Sequence, residues 1–312
     1  MDMVQISEEI YGQWGKCVRL SDGKNELFAT LDFGPRIIKF SAIGKENMFF
    51  EDTDDKINFL DSKDITDNLF GDDKGVWHIR GGHRLWINPE TDYTYYPDNN
   101  KVKYEKVENG IRLIPPVEIT NDIQKVIEIT MSEDNCVHVV HKITNVGTKE
   151  TELAPWGLTV LSPGGTEIFP VPTPEETNLA YRSLVIWKYT DLDDKRVKWG
   201  KKYISLKQDE NATTNFKVGQ LSQQGWAAYF NHGDVFVKYF DTALDKVHPE
   251  GNTNFHTYTS KFMLEMESLG ELKKLKPNET VVHKECWCYY CEVDIPDSEC
   301  EIDKFVKEYI EE

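Results

Sequence analysis

The sequence predicts an all-β protein, a large antiparallel β-sandwich with one helix at its C-terminal end. Three observations support this prediction. Short runs of β-branched and aromatic residues recur along most of the 312 residues. Turn signals separate these runs roughly every 8–12 residues, a spacing that is typical of sandwiches and barrels. Clear helical periodicity occurs only in the last part of the chain.

Local signals justify the individual elements. Residues 21–25 and the pair Asn109-Gly110 are typical turns between two strands, so each predicts a β-hairpin. A third hairpin turn is predicted at 132–135. Residues 51–76 are polar and acidic, which indicates a surface excursion with one short helix. The Pro- and Gly-rich residues 162–180 predict a loop.

The C-terminal helix is predicted over about 298–311. Asp297 or Ser298 can cap its first turn. Its apolar residues follow the i, i+3, i+4 spacing of an amphipathic helix, so we expect that face to dock on the sandwich. These residues are Ile302, Phe305, Val306, Tyr309 and Ile310. Neither a linker nor an internal repeat is evident, so residues 1–312 are predicted to form one domain.

Charge and motifs exclude several classes of function. A formal net charge of −18 disfavours binding to nucleic acid or to an anionic membrane. Apolar runs are shorter than the roughly 20 residues of a membrane span, and the first residues do not resemble a signal peptide. We therefore expect a cytoplasmic protein with reduced cysteines. Phosphate-binding glycine motifs are missing, so we expect no cofactor. The oligomeric state is not indicated.

Residues 77–99, WHIRGGHRLWINPETDYTYYPDN, combine aromatic rings, forked donors and carboxylates without a strand or helix period. Sugars are held by aromatic faces and by planar hydrogen-bonding groups. The alternative is an ordered loop whose aromatic residues fill its own small core. Converging polar groups need a partner, which favours a ligand site. The candidate residues are Arg80, His83, Arg84, Trp86 and Asp98.

Glu265 and Glu267 are two residues apart in the predicted strand FMLEMESLG, so their side chains share one face. Partial burial would let each carboxylate raise the pKa of the other, which suits a general base. The alternative is the solvated face of an ordinary amphipathic strand. His256 lies in a predicted irregular loop just before this strand and could reach the same end of the sandwich.

Cys286, Cys288 and Cys291 form a C-x-C-x-x-C pattern. This pattern can be part of a zinc site. However, the surrounding residues indicate a core strand, and a second ligand pair does not accompany it. We therefore predict thiols without a metal.

Four segments in order resemble the galactose mutarotase-like (aldose 1-epimerase) superfamily. They are ELFATLDFGPRIIKFSAIGKENMFF, IRGGHRLWINPE, VVHKITNVGTKETELAPWGLTVL and FMLEMESLGELKKLKPNETVVHKECW. In detail, these segments are most similar to a branch of this superfamily whose members carry the motifs GGHRLW and ESLG. The resemblance implies a large β-supersandwich with a sugar site on its concave face.

The resemblance also implies a mechanism. A carboxylate takes the proton of the anomeric hydroxyl while an acid protonates the ring oxygen, so the ring opens and recloses as the other anomer. Glu265 matches the position of the family's base, with Glu267 as the fallback. The family's acid is a histidine on the strand that here reads Ala154–Leu158, and this segment contains no histidine.

We therefore expect His83 to supply the proton and to face one cavity together with Glu265. The expected substrate contacts are Arg84, Trp86, Arg80, Asp98, Trp156, Glu267 and His256. The first hypothesis is an enzyme that interconverts sugar anomers, with a small-molecule carbohydrate as its partner. The second is a non-catalytic carbohydrate-binding protein on the same fold. A third is a structural β-sandwich that binds a protein partner.

Overall fold

The computed structural model describes residues 4–55, 57, 63–71, 75–132, 136–172 and 182–311. Within these residues the chain forms two large antiparallel sheets and a C-terminal helix, so the predicted all-β fold is confirmed. Parts of three predicted features lie outside the described residues: the excursion at 51–76, the turn at 132–135 and the end of the loop at 162–180. The described part of that last segment includes a strand rather than only a loop.

In chain order the strands are β1 Gln5–Ile10, β2 Lys16–Ser21, β3 Asn25–Thr30, β4 Ile37–Ala42, β5 Gly82–Asn88, β6 Lys103–Val107, β7 Gly110–Ile114, β8 Ile123–Met131, β9 Cys136–Asn145, β10 Thr151–Leu161, β11 Thr166–Pro170, β12 Val185–Ile186, β13 Val197–Trp199, β14 Tyr203–Lys207, β15 Phe216–Gln220, β16 Trp226–Asn231, β17 Asp234–Phe240, β18 Phe255–Thr259, β19 Leu264–Leu269, β20 Lys273–Leu275 and β21 Thr280–Tyr290. The helices are α1 Lys63–Phe70, the short α2 Pro249–Asn252 and α3 Glu299–Tyr309. Among the described residues, no helix is long and apolar enough to cross a membrane.

The first sheet has the spatial order β1-β2-β3-β4-β5-β10-β19-β18-β15-β12, and β20 pairs with β10. The second sheet has the order β13-β14-β11-β16-β17-β21-β9-β8-β7-β6. The main core draws on both sheets, for example on Phe40 and Leu85 of the first and Val139 and Trp287 of the second. The two sheets therefore pack face to face, as in a sandwich.

The predicted C-terminal helix is confirmed as α3. The side chain of Ser298 accepts a hydrogen bond from the backbone N–H of Glu301, as an N-cap residue does. Ile302, Phe305 and Val306 are buried in one apolar cluster with residues of β16 and β17. The helix therefore covers part of the outer face of the second sheet.

Residues 82–88 correct the prediction of a loop, because they form β5 at the centre of the first sheet. The strand has no polar–apolar alternation because both of its faces are buried. Gly81 and Gly82 have φ of 94° and 65°. A Cβ at Gly81 would collide with the backbone oxygen of Phe50. The glycine pair is therefore needed for the chain to enter the sheet here.

Candidate functional site

The candidate site is a cavity on the face of the first sheet that points away from the second sheet. Register places Glu265 of β19 opposite Tyr258 of β18, and Tyr258 opposite Lys217 of β15. The cavity has a volume of about 290 Å³, near the lower end of the roughly 300–1,000 Å³ range of ligand pockets. Its lining consists of Arg84, Trp86, Glu90, Tyr95, Trp156, Leu158, Trp187, Tyr189, Asn215, Lys217, Tyr258 and Glu265.

Aromatic rings form much of this lining. Trp86 and Trp156 are cross-strand partners, and their ring centroids are 5.6 Å apart with the planes tilted by 67°. Tyr95 packs edge-on against Trp86, and its hydroxyl donates to Glu90 at 2.6 Å. A surface that combines aromatic faces with a few charged groups suits a polyhydroxylated ligand, which has both C–H faces and hydroxyls.

Glu265 and Arg84 form the first charged pair of the cavity. Nη2 of Arg84 donates to Oε1 of Glu265 at 3.1 Å, and the guanidinium lies 4.2 Å from the ring of Trp86. Burial raises the pKa of Glu265, the neighbouring Glu267 raises it further, and Arg84 opposes the shift. Within the described part of the chain, Nε and Nη1 of Arg84 are buried without a hydrogen-bond partner. Arg84 therefore keeps donors for a ligand.

Glu267 and Lys217 form the second charged pair, just beneath the cavity wall. Glu267 accepts from Lys217 Nζ at 3.0 Å and from Trp156 Nε1 at 2.9 Å. Burial alone would raise the pKa of Glu267, but Lys217 and the neighbouring His256 hold it at about 2. Burial likewise lowers the pKa of Lys217, yet Glu267 brings about a net increase. Glu267 therefore stays ionised and keeps Lys217 protonated.

His256 belongs to β18 rather than to the predicted loop. It is fully buried behind Glu267, with its Nδ1 3.4 Å from the carboxylate and its Nε2 2.6 Å from the hydroxyl of Thr253. Its cross-strand partner is Gly219, where a Cβ would lie 2.6 Å from the imidazole. Neither His256 nor Glu267 is among the residues that line the cavity. Both residues position the cavity wall.

His83 lies on the other face of β5, and the expectation that it shares a cavity with Glu265 is wrong. Its Nδ1 lies 2.9 Å from the hydroxyl of Thr159, and its Nε2 lies 2.7 Å from Nε2 of His141 in the second sheet. Neighbouring residues of a strand point to opposite faces, so Arg84 faces the cavity while His83 points into the sandwich. Burial holds the pKa of His83 well below its usual range, so its ring is neutral.

Arg80 and Asp98 also lie outside the cavity lining. The Arg80 guanidinium stacks on Phe33 at 3.8 Å and bonds to Asn99. Asp98 pairs with the buried Arg36 beside a separate cavity of about 40 Å³. Four predicted site residues, Arg84, Trp86, Trp156 and Glu265, thus line one cavity.

Sequence reasoning missed Lys217, Tyr258, Trp187, Tyr189 and Asn215 in this lining. Lys217 and Tyr258 come from strands whose pairing brings them beside Glu265. Nothing in the local sequence of either strand indicates that pairing. The period-two alternation in each strand could have shown which of its residues share a face, but not which strand lies next to it.

Two groups of side chains could in principle hold a metal ion, judged over the described residues. His83, His141 and Glu285 lie close together in the sandwich interior, and Cys136, Cys286 and Cys288 lie close together on the second sheet. The interior group is already engaged. Glu285 pairs with Lys238 at 3.0 Å and accepts from Trp287 at 2.7 Å, while the two histidines contact each other.

Comparisons with known proteins agree with this architecture. No family model matches the sequence, and no curated protein matches it. Solved structures do match. A galactose mutarotase-like protein from Clostridium acetobutylicum aligns with 93% of this chain and 100% of its own, at a TM-score of 0.53 and 10% identity. A protein from Klebsiella pneumoniae assigned as an aldose 1-epimerase aligns with 97% of this chain and 86% of its own, at a TM-score of 0.57 and 12% identity.

The Slr1438 protein from Synechocystis sp. PCC 6803 aligns with 88% of this chain and 96% of its own, at a TM-score of 0.55 and 9% identity. At such low identity the similarity concerns the fold and not the chemistry. The order and pairing of the two sheets, together with these matches, lead to one conclusion. The chain has the galactose mutarotase-like β-sandwich fold.

Proposed function

We propose that this protein binds a monosaccharide in the cavity and interconverts its anomers by general acid–base catalysis. The observation that carries this proposal is the placement of Glu265 and Lys217 in one aromatic-lined cavity. The two residues occupy the same register row two strands apart, which corresponds to a backbone separation of roughly 10 Å. A pyranose ring between them would have a carboxylate and an ammonium group on different sides.

Glu265 is the proposed base. Burial raises the pKa of its carboxyl group, which brings it closer to the range in which a general base is most effective near neutral pH. The Arg84 guanidinium, 3.1 Å away, favours the ionised form and can also bind a sugar hydroxyl through its remaining donors. The carboxylate would take the proton of the anomeric hydroxyl.

Lys217 is the proposed acid, in place of His83. Its ammonium is kept protonated by Glu267, and it lies 4.9 Å from the ring of Trp156 and 4.8 Å from that of Trp187. It would give a proton to the ring oxygen as the bond from that oxygen to the anomeric carbon breaks. The open aldehyde then rotates about the bond from C1 to C2. Ring closure returns both protons, so catalysis needs no net proton transfer.

A non-catalytic carbohydrate-binding role is the second candidate. One observation favours it: the proposed base is already paired with Arg84, and an ion pair of this kind reduces the basicity of a carboxylate. In this case the aromatic cavity would bind the sugar, and Glu265 would serve only to orient Arg84.

Anomer exchange followed by NMR on a panel of aldoses and aldose phosphates tests the proposal. We expect the wild-type protein to accelerate exchange above the buffer rate. Glu265→Gln should lower that acceleration by about 10²-fold or more, and Lys217→Met should do so as well, because each removes one proton-transfer group. Glu46→Gln is the control, since this carboxylate is 76% exposed and is not part of the cavity lining.

Binding measured by calorimetry on the same sugars distinguishes the two candidates. A sugar that binds without faster exchange would identify a binding protein. Exchange that persists in Glu265→Gln at the wild-type rate would remove Glu265 from the mechanism. If no sugar on the panel binds and none shows faster exchange, both candidates are wrong.

A further inference from the structure

Three cysteines meet on the second sheet, although they come from distant parts of the chain. Cys136 of β9 is the direct cross-strand partner of Cys288 of β21, and Cys286 lies two residues before Cys288 on the same face. The three sulfur atoms all lie within 4.8 Å of one another. Sequence reasoning predicted thiols without a metal because β21 alone offers too few ligands. Strand pairing supplies the third sulfur.

These thiols point away from the sandwich core. The residues that alternate with them, Val137 and Trp287, belong to the core between the two sheets. Cys136 and Cys286 are half-buried, and only Cys288 is buried. The cluster is therefore reachable from solvent on the outer face of the second sheet. The sugar cavity lies on the opposite side of the molecule, on the first sheet, so the two sites are independent.

The donor set suits a thiophilic cation. Zinc is bound by cysteine thiolates at about 2.3 Å in tetrahedral geometry, which sets the sulfurs about 3.8 Å apart. The three sulfur atoms lie within 4.8 Å of one another, so a bound zinc ion would require side-chain adjustments of about 1 Å at most. None of the six cysteines, all of which are described, forms a disulfide. The net charge of −18 also favours a cation over an anion.

A fourth ligand position is open to water or to a neighbouring imidazole. His138 is the direct cross-strand partner of Cys286 on the same face, and its Nε2 lies 3.0 Å from the hydroxyl of Ser132. His138 is outside the group of three sulfur atoms that lie within 4.8 Å of one another, so its side chain would have to rotate to reach an ion held there. Sets of four N and S ligands are characteristic of zinc sites.

We propose that Cys136, Cys286 and Cys288 form a zinc site on the outer face of the second sheet. Each thiol loses its proton as it binds the ion, so zinc uptake releases protons and involves no redox step. The site joins β9 to β21 through side chains, in addition to the backbone hydrogen bonds between these strands.

Metal titration of the reduced full chain tests the site. Zn²⁺ is titrated against a chromophoric chelator, and Co²⁺ is used as a probe whose absorption reports thiolate coordination. We expect one Zn²⁺ per chain. The substitutions Cys136→Ser, Cys286→Ser and Cys288→Ser should each weaken binding by about 100-fold or more, since loss of an outer-shell partner alone costs 10–100-fold. Cys291→Ser and Cys300→Ser are matched controls, because both of these cysteines are exposed and outside the cluster.

Thermal melting provides a second measurement that does not depend on the chelator. Zn²⁺ should raise the Tm of the wild-type protein and of both controls, because a ligand that binds the folded state stabilises it. The cluster variants should fold without metal but show no such rise.

Several results would overturn the proposal. These are no zinc uptake by the wild-type protein, equal loss in the controls and the cluster variants, or cobalt spectra without thiolate bands. A Cys136–Cys288 disulfide in protein purified without reductant, followed by no metal uptake after reduction, would assign the cluster to redox chemistry instead. The anomer-exchange assay does not use the cysteine cluster. A failure of the zinc proposal is therefore distinguishable from a failure of the proposed function.

Discussion

Two polar clusters lie against the central strands of the first sheet, one on each face, and the interior one includes residues of the second sheet. The cavity cluster consists of Arg84, Glu265, Glu267 and Lys217, and the interior cluster consists of His83, His141, Lys238 and Glu285. Each contains a buried ion pair with a distance of 3.0 Å, Lys217–Glu267 in one and Lys238–Glu285 in the other. Adjacent residues of β5, His83 and Arg84, belong to different clusters.

The clusters differ in the unused hydrogen-bonding capacity of their charged groups, although Nδ1 of the neutral His141 in the interior also has no partner among the residues described. In the interior, Glu285 accepts from Lys238, from Ser268 at 2.6 Å and from Trp287 at 2.7 Å. In the cavity cluster, two nitrogens of Arg84 and Oε1 of Glu267 have no hydrogen-bond partner among the residues described. Buried polar groups are normally satisfied. Residue types therefore do not separate a site from a structural network, whereas unsatisfied groups beside an opening do.

The largest expected effect comes from breaking the interior pair. Glu285→Gln should lower the free energy of unfolding by about 3–5 kcal/mol, because it leaves the Lys238 ammonium buried without a countercharge. Both side chains are fully buried. Urea unfolding measures the change. The double variant Lys238→Met/Glu285→Met should recover much of the loss. A loss below about 1 kcal/mol in Glu285→Gln would show that the pair is not the structural centre of this cluster.

Two glycines, one beside each cluster, leave no room for a side chain. A Cβ at Gly157 would collide with Oε1 of Glu285 in the interior, and one at Gly219 would lie 2.6 Å from His256 behind the cavity. Gly157→Ala should therefore destabilise the fold by about 1–3 kcal/mol through overpacking. Gly219→Ala should chiefly disturb the His256–Glu267–Lys217 arrangement and slow anomer exchange.

Unfolding and exchange assays on both glycine variants separate the two roles. Serine at each position is a useful second substitution, since it introduces the same Cβ. Equal loss of activity from both variants, with equal loss of stability, would contradict the distinction between the two faces.

Lowering the pH should reduce the free energy of unfolding through the histidines that the sandwich interior keeps neutral. Burial lowers the pKa of His141, and of His283 stacked beside it, to about 3 from an ordinary value of 6.5. Between these values the unfolded chain binds more protons than the folded one, so each histidine makes the free energy of unfolding fall as the pH falls. The slope is about 1.4 kcal/mol per pH unit for each group.

Glu167 acts in the opposite direction, because burial raises its pKa to about 8. The contribution of His141 is therefore measured as a difference between the wild-type protein and a variant that lacks this histidine. Urea unfolding of the wild-type protein and of His141→Asn between about pH 4 and 5.5, where the histidine is charged in the unfolded chain and neutral in the folded one, should give slopes that differ by about 1.4 kcal/mol per pH unit. Identical slopes would mean that His141 is not held neutral by the fold.

Local signals predicted much of the fold. The Asn109-Gly110 turn, the hairpin at 21–25 and the capped helix after Ser298 depend on residues close together in the chain, and all three occur in the structure. The strand β5 was missed because it is buried on both sides, so its residues do not alternate in polarity. Without the strand, the faces of His83 and Arg84 could not be assigned.

The site was predictable only in part for a related reason. Glu265, Arg84, Trp86 and Trp156 were identified from residue type and from the resemblance, and they line one cavity. Lys217 depends on the pairing of β15 with β18, and Cys136 depends on the pairing of β9 with β21. The first of these pairings joins segments about 40 residues apart and the second joins segments about 150 residues apart, and local sequence patterns do not encode them.

The smallest expected effect concerns Trp187, which belongs to the cavity and not to the strands beneath it. Its ring contacts the Lys217 ammonium at 4.8 Å and His256 edge-on at 4.9 Å. Trp187→Ala should weaken sugar binding by about 1 kcal/mol, roughly fivefold, because one aromatic stacking surface is lost. Trp199→Ala is the matched control, since Trp199 is 40% exposed and outside the cavity.

Calorimetric titration with the best-bound sugar measures both tryptophan variants. A selective loss in Trp187→Ala, with unfolding unchanged, would place the ligand against β15 and Lys217 rather than against Arg84 alone. Equal affinities in the two variants would show that the ligand does not stack on Trp187. The Lys217 ammonium lies 4.9 Å from the ring of Trp156 as well, so a ligand held by Trp86 and Trp156 would still be within reach of the proposed acid, and the exchange rate of Lys217→Met then decides the role of Lys217.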